Sequence, residues 1–427
     1  MKVVGKMKIK KITEALSITS QQINDVFLML ETRMKASYFT RGIGKMDFKN
    51  LIMFALNFVK KSIQIELDLF VKNIMRSENA ITKQAYSQAR QKISPRAFVL
   101  LAEGIIKWYY ADDFKRFRGY RLSAIDGSIL ELNNSEILRE EFGYVENTTV
   151  KLARALSSGI YDIENDMILT SKITKYKTSE RNLAIELIEQ LKKIGLKNDL
   201  ILFDRGYPSS ELIKYLEDSG IKYLMRVSSQ FLKVVNEAKQ EDQIVEIKTK
   251  KKTIKVRVLK FLLDSGVQEV LITNLLDESL SIKDFKELYF KRWGIEVKFN
   301  ELKNRLQIEN FSGETPIAIE QDFYASIYLS NMAAIAKAEV NHKIEQKNKD
   351  KNLKHEYKAN TNILIGKLKD NLVMALLQSN QRKRQKMVTG IIKELQKNSI
   401  PIRPERNNKR NMGLKANKYS LNTKRCL

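Results

Sequence analysis

The chain has 427 residues, enough for two or three domains with substantial cores. Hydrophobic residues make up 43% and aromatics 8%, which excludes a disordered polymer. Lysine and arginine number 76 against 50 acids, and the resulting net charge of +26 favours a polyanionic partner, most commonly nucleic acid.

Residues 1–115 carry apolar side chains at three- and four-residue spacing over 23–35, 48–60 and 63–75, and a helical N-terminal region that binds DNA is expected there. Within it, Thr82 is placed to cap a short basic helix with Lys83, Gln84, Ser87 and Arg90 facing outward. From Tyr120 the texture changes. Strand-like runs are expected over 120–125, 150–156 and 167–173, a helix over 180–194, and a short apolar strand over 199–203. Strands followed by alternating helices and strands indicate a mixed α/β sheet. Short β-type runs at 223–227, 244–248, 253–259 and 269–273 suggest a β-rich insertion over 221–275. A helix over 282–305, another over 317–340, a polar linker over 341–360 and a helix over 361–377 follow. From Ser379 onward fourteen Lys/Arg face two acids, the composition of a solvated end or of an arm for phosphates.

Cys426 is the only cysteine and His342 and His355 the only histidines, so disulfides, Cys/His zinc sites and Ser-His-Asp triads are poor candidates. A metal here must be held by carboxylates, which points to Mg²⁺ or Mn²⁺. The first residues lack an apolar signal core and no run reaches about 18 apolar residues, so a cytoplasmic protein without membrane contact is expected.

Three acids stand out. Asp126 and Asp204 each follow an apolar strand, the sheet-edge position where active-site groups of α/β folds gather. Glu296 shares a helical stretch with Tyr289, Arg292 and Lys303, which return to one arc at about 100° per residue. The plainer alternative is an amphipathic helix whose cations pair with Glu296. Three carboxylates from separate elements can hold two divalent ions about 3.5–4 Å apart, the geometry of in-line attack at a phosphodiester.

The chain resembles the bacterial insertion-sequence transposases of the Asp-Asp-Glu type, specifically the insertion-sequence-four family with its Tyr-Arg-Glu-Lys signature. The signature Tyr-x₂-Arg-x₃-Glu-x₆-Lys is matched by Tyr289, Arg292, Glu296 and Lys303. Ser123-Ala124-Ile125-Asp126-Gly127-Ser128 is similar to the family's first-acid strand, and Leu202-Phe203-Asp204-Arg205-Gly206-Tyr207 to its Asp-Arg-Gly-Tyr motif. Thr178-Ser179-Glu180-Arg181-Asn182-Leu183 is a further family-like stretch. The resemblance implies a ribonuclease H-like core over 116–220 and 276–340, the β-rich insertion over 221–275 between Asp204 and Glu296, and a helical, basic C-terminal region over 341–427. It also implies two Mg²⁺ (or Mn²⁺) ions on Asp126, Asp204 and Glu296, with Tyr289, Arg292, Lys303, Arg205 and Tyr207 at the DNA. The partners implied are double-stranded DNA, both terminal inverted repeats and target, and a second copy in a homodimer. The activity implied is cut-and-paste transposition, possible through a hairpin intermediate. A ribonuclease H-like nuclease or resolvase without strand transfer, or an inactive DNA-binding relic, is the alternative.

Overall fold

The computed structural model describes residues 11–40, 46–57, 62–148, 150–228, 231–248, 253–263 and 265–403. The chain divides into two compact units, Met1–Leu101 with Met332–Leu427, and Ala102–Asn331.

The first unit is helical. Lys11–Asn24 buries Ile12, Ala15, Leu16 and Ile23 on one face and packs against both Thr361–Leu377 and Gln381–Lys397. The N-terminal region and the C-terminal region, read from sequence as separate, therefore share one core, because the apolar stripe Leu364, Ile365, Leu368, Leu372 and Leu376 covers the first helix. Thr82 caps Lys83–Arg90 by accepting from Ala85 N (3.2 Å). Lys83, Gln84 and Ser87 face outward, but Arg90, expected beside them, is buried with its guanidinium over the Tyr86 ring. Likewise, the basic segment from 379 is not wholly a tail. Gln381–Lys397 is a packed helix whose buried Arg384 donates to the Ala375 carbonyl, while 404–427 lie outside the described residues.

The second unit is a mixed α/β layer structure built on nine strands: β1 Arg121–Glu131, β2 Tyr144–Glu146, β3 Lys151–Asp162, β4 Met167–Lys175, β5 Asp199–Phe203, β6 Lys222–Val227, β7 Asp242–Lys248, β8 Thr253–Leu262 and β9 Gln268–Thr273. They run in the order β2-β3-β1-β5-β6-β9-β8-β7, with β4 also on β3. β1 pairs antiparallel with β3 and parallel with β5, and β5 is parallel to β6. β5 is wholly buried, as a parallel strand covered on both faces must be. β6 falls inside the segment read as an insertion, yet it is the parallel neighbour of β5, and β9, β8 and β7 extend the same sheet antiparallel from it. The parallel pairing joins residues 20 or more apart, so no local pattern distinguishes β6 from the strands after it. Among the described residues no helix is long and apolar enough to cross a membrane.

Candidate active site

Register brings the two aspartates together. Ala124 on β1 pairs with Leu202 on β5, and Asp126 and Asp204 lie two residues beyond each partner. Two side chains at equal offsets on adjacent parallel strands emerge at the same place. β1 continues to Glu131 whereas β5 stops at Phe203, so Asp126 is mid-strand, opposite Gly159 of β3, rather than at a strand end as its sequence context suggests. The β1–β5 pair is locked at its start by Arg121 and Asp199, both buried, whose side chains make a two-pronged bond of 2.9 and 2.8 Å.

The helix expected over 282–305 is broken. Ile282–Phe290 begins with a capping box between Ser281 and Asp284, a 3₁₀ turn spans Lys291–Trp293, and Gly294–Asn304 continues. The latter packs along β1 and presents Glu296 in its first turn. Tyr289 donates to Asp204 Oδ1 (3.2 Å). Arg292 Nη2 donates to Glu296 Oε1 (3.0 Å) and stands 4.0 Å from Asp204 Oδ1. One guanidinium thus links the second and third acids. Its Nη1 is buried without a hydrogen-bond partner.

Burial raises the Asp126 carboxyl to about 6, with Glu180 and Glu296 pushing the same way against the Gly127 N–H and Arg292. Asp126, Arg292 and Glu296 therefore act on one another electrostatically, and Arg292 also acts on Asp204 at 4.0 Å. A carboxylate gathering of this kind, desolvated and repelling itself, requires positive charge to be stable. The side-chain donors are hard oxygens, suited to Mg²⁺ or Mn²⁺ rather than to a soft metal. Among the described residues no three acidic groups yet surround a common point at ligating distance, and Arg292 supplies the neutralising charge.

Other sequence candidates are placed differently. Lys303 donates to the Ile129 carbonyl (2.5 Å) and lies 3.8 Å from Glu309, away from the acids, because the 3₁₀ turn breaks the regular 100° advance that put it on their arc. Tyr207, expected at DNA, is buried against Phe203, with ring centroids 5.8 Å apart, so it serves the core as it stands. Arg205 is exposed on the loop between them. Glu180 was given no role from sequence, although it sits in a quoted motif. It opens the helix Glu180–Ile194, and its charge acts on Asp126 while Asp204 acts on it.

The family model "Transposase DDE domain" matches residues 119–332, half of the chain. None of the curated proteins matches it. Among solved structures, the piggyBac transposase synaptic complex with hairpin DNA is similar at 12% identity, covering 90% of this chain and 84% of that one with a TM-score of 0.43, a likeness too loose to establish a shared fold. On the family match, the chain belongs to the transposase DDE-domain family.

Proposed function

We propose that the protein is a DNA transposase of the insertion-sequence-four type that cuts and rejoins element ends, with Asp126, Asp204 and Glu296 as its acids. The observation that carries this reading is the convergence of two strand-borne aspartates with a glutamate tied to one of them through Arg292. A ribonuclease H-like core is supported by the strand run β4-β3-β1-β5-β6, in which only β3 opposes the direction of β1. Strands β7–β9 stand as the insertion between Asp204 and Glu296.

Two Mg²⁺ or Mn²⁺ ions held by these acids would activate the attacking water or 3′-hydroxyl and stabilise the leaving oxygen. The chain's own groups prepare that site. Tyr289 orients the Asp204 carboxylate by its hydrogen bond, and Arg292 holds Glu296 within reach of the aspartates. Burial of Asp126 keeps bulk water from solvating the carboxylate that a cation must recruit. Arg205, exposed beside Asp204, is free to meet a phosphate oxygen. Arg292, Tyr289 and Lys303 reach DNA only by exchanging their present bonds for phosphate oxygens.

The test supplies the protein with Mg²⁺ or Mn²⁺, duplexes ending in the element's own terminal repeats, and a supercoiled target plasmid. Cleaved ends joined to plasmid are expected. Cleavage without joining would favour the nuclease reading, and end binding with no cleavage an inactive relic.

A further inference from the structure

Gly127 lies mid-strand in β1 with no left-handed backbone requirement, at a position where glycine weakens a strand. The space it leaves is used. A Cβ there would fall 2.6 Å from Glu180 Oε1 and 3.3 Å from its Cδ, so the Glu180 carboxylate rests against the strand immediately beside Asp126. Glu180 begins its helix after Ser179, where the helix N-terminus favours negative charge. The neighbouring Arg181 donates to the Gly206 carbonyl (3.0 Å), which fastens this helix start to the loop that follows Asp204. Among the described residues Glu180 forms no ion pair and no hydrogen bond, and its side chain is open to solvent on one side.

We propose that Glu180 is a fourth carboxylate ligand of the cation site, bridging the Asp126 and Asp204 sides, and that residue 127 is glycine to admit it. This rests on the proposed function. A second observation points to the same spot. The Tyr207 hydroxyl is fully buried without a hydrogen-bond partner, and after burial itself the charges of Glu180 and Asp126, and also of Asp204, raise its pKa. An unsatisfied hydroxyl facing three carboxylates marks a polar centre that is incomplete without a further group. Glu180 adds the oxygen donors that Asp126, Asp204 and Glu296 lack for two hard cations of high coordination number.

The test is Mn²⁺ binding to the full chain without DNA, read by electron paramagnetic resonance of the free ion, with circular dichroism to verify the fold of each variant. Glu180→Gln is expected to weaken binding at least about tenfold. Gly127→Ala is expected to do the same, because its methyl displaces the flexible end of Glu180 and not the backbone. The double variant should be no weaker than either single, since both remove one contact. Wild-type binding in Glu180→Gln, alongside lost binding in Asp204→Asn, overturns the fourth ligand alone. An absence of Mn²⁺ binding by the wild type overturns the cation site itself, and this inference with it.

Discussion

At the residue scale, Asp126 carries a measurable cost. Its folded carboxyl titrates near 6, above the unfolded value of about 3.9, so the native state holds the proton more tightly. Stability from this group is therefore full below about pH 4, falls as pH rises to about 6, and stays lowered above that. With chelator present, Asp126→Asn should be more stable than wild type at pH 7.5 by about 1–2 kcal/mol. The advantage should vanish near pH 4 in urea unfolding, and equal stability at both pH values would show that the carboxyl is not desolvated. Arg292 is 7% exposed and grips Glu296 through a planar fork that Lys lacks, so Arg292→Lys should lower end cleavage at least about tenfold without unfolding the protein. Wild-type cleavage by that variant would remove its positioning role. The pairing of Arg292 with Glu296 was legible as a four-residue spacing. The remoteness of Lys303 was not, because a 3₁₀ turn leaves no mark in the hydrophobic pattern.

At the element scale, the site depends on β1 and β5 holding register, and the Arg121–Asp199 bond secures it. Removing one partner leaves a buried charge uncompensated, so Asp199→Ala should destabilise by about 3–5 kcal/mol, read by urea unfolding. A loss under about 1 kcal/mol would show that the strands are paired without it. Gly294 starts the Glu296 helix, and a methyl there would meet Tyr161 and Ile163 at ordinary contact distances of 3.5 and 3.6 Å. Gly294→Ala should thus raise stability by up to about 1 kcal/mol, and a lowered melting temperature would contradict that contact geometry. Strands β1, β3, β4 and β5 were readable because their apolar runs end in turn residues. The place of β6 was not, since pairing with β5 is set by a crossover that no short window contains.

At the scale of the whole molecule, the charge of +26 should make DNA binding fall steeply with salt, because each phosphate neutralised releases counterions. Since Gln381–Lys397 is packed helix, the proper truncation is after Arg403, which removes seven Lys/Arg and leaves the described core intact. If that arm tracks the DNA backbone, the slope of log K against log salt should flatten by about 0.9 per lost contact, and an unchanged slope would leave it without a phosphate role. The central claim, that Asp126, Asp204 and Glu296 form one centre for phosphodiester chemistry, is tested most directly by measuring end cleavage and end binding in parallel for Asp126→Asn, Asp204→Asn and Glu296→Gln. Each variant should lose cleavage by about a thousandfold or more, the scale of a removed transition-state contact, while holding end DNA within a few-fold of wild type. Substantial cleavage by any one of the three would contradict the account.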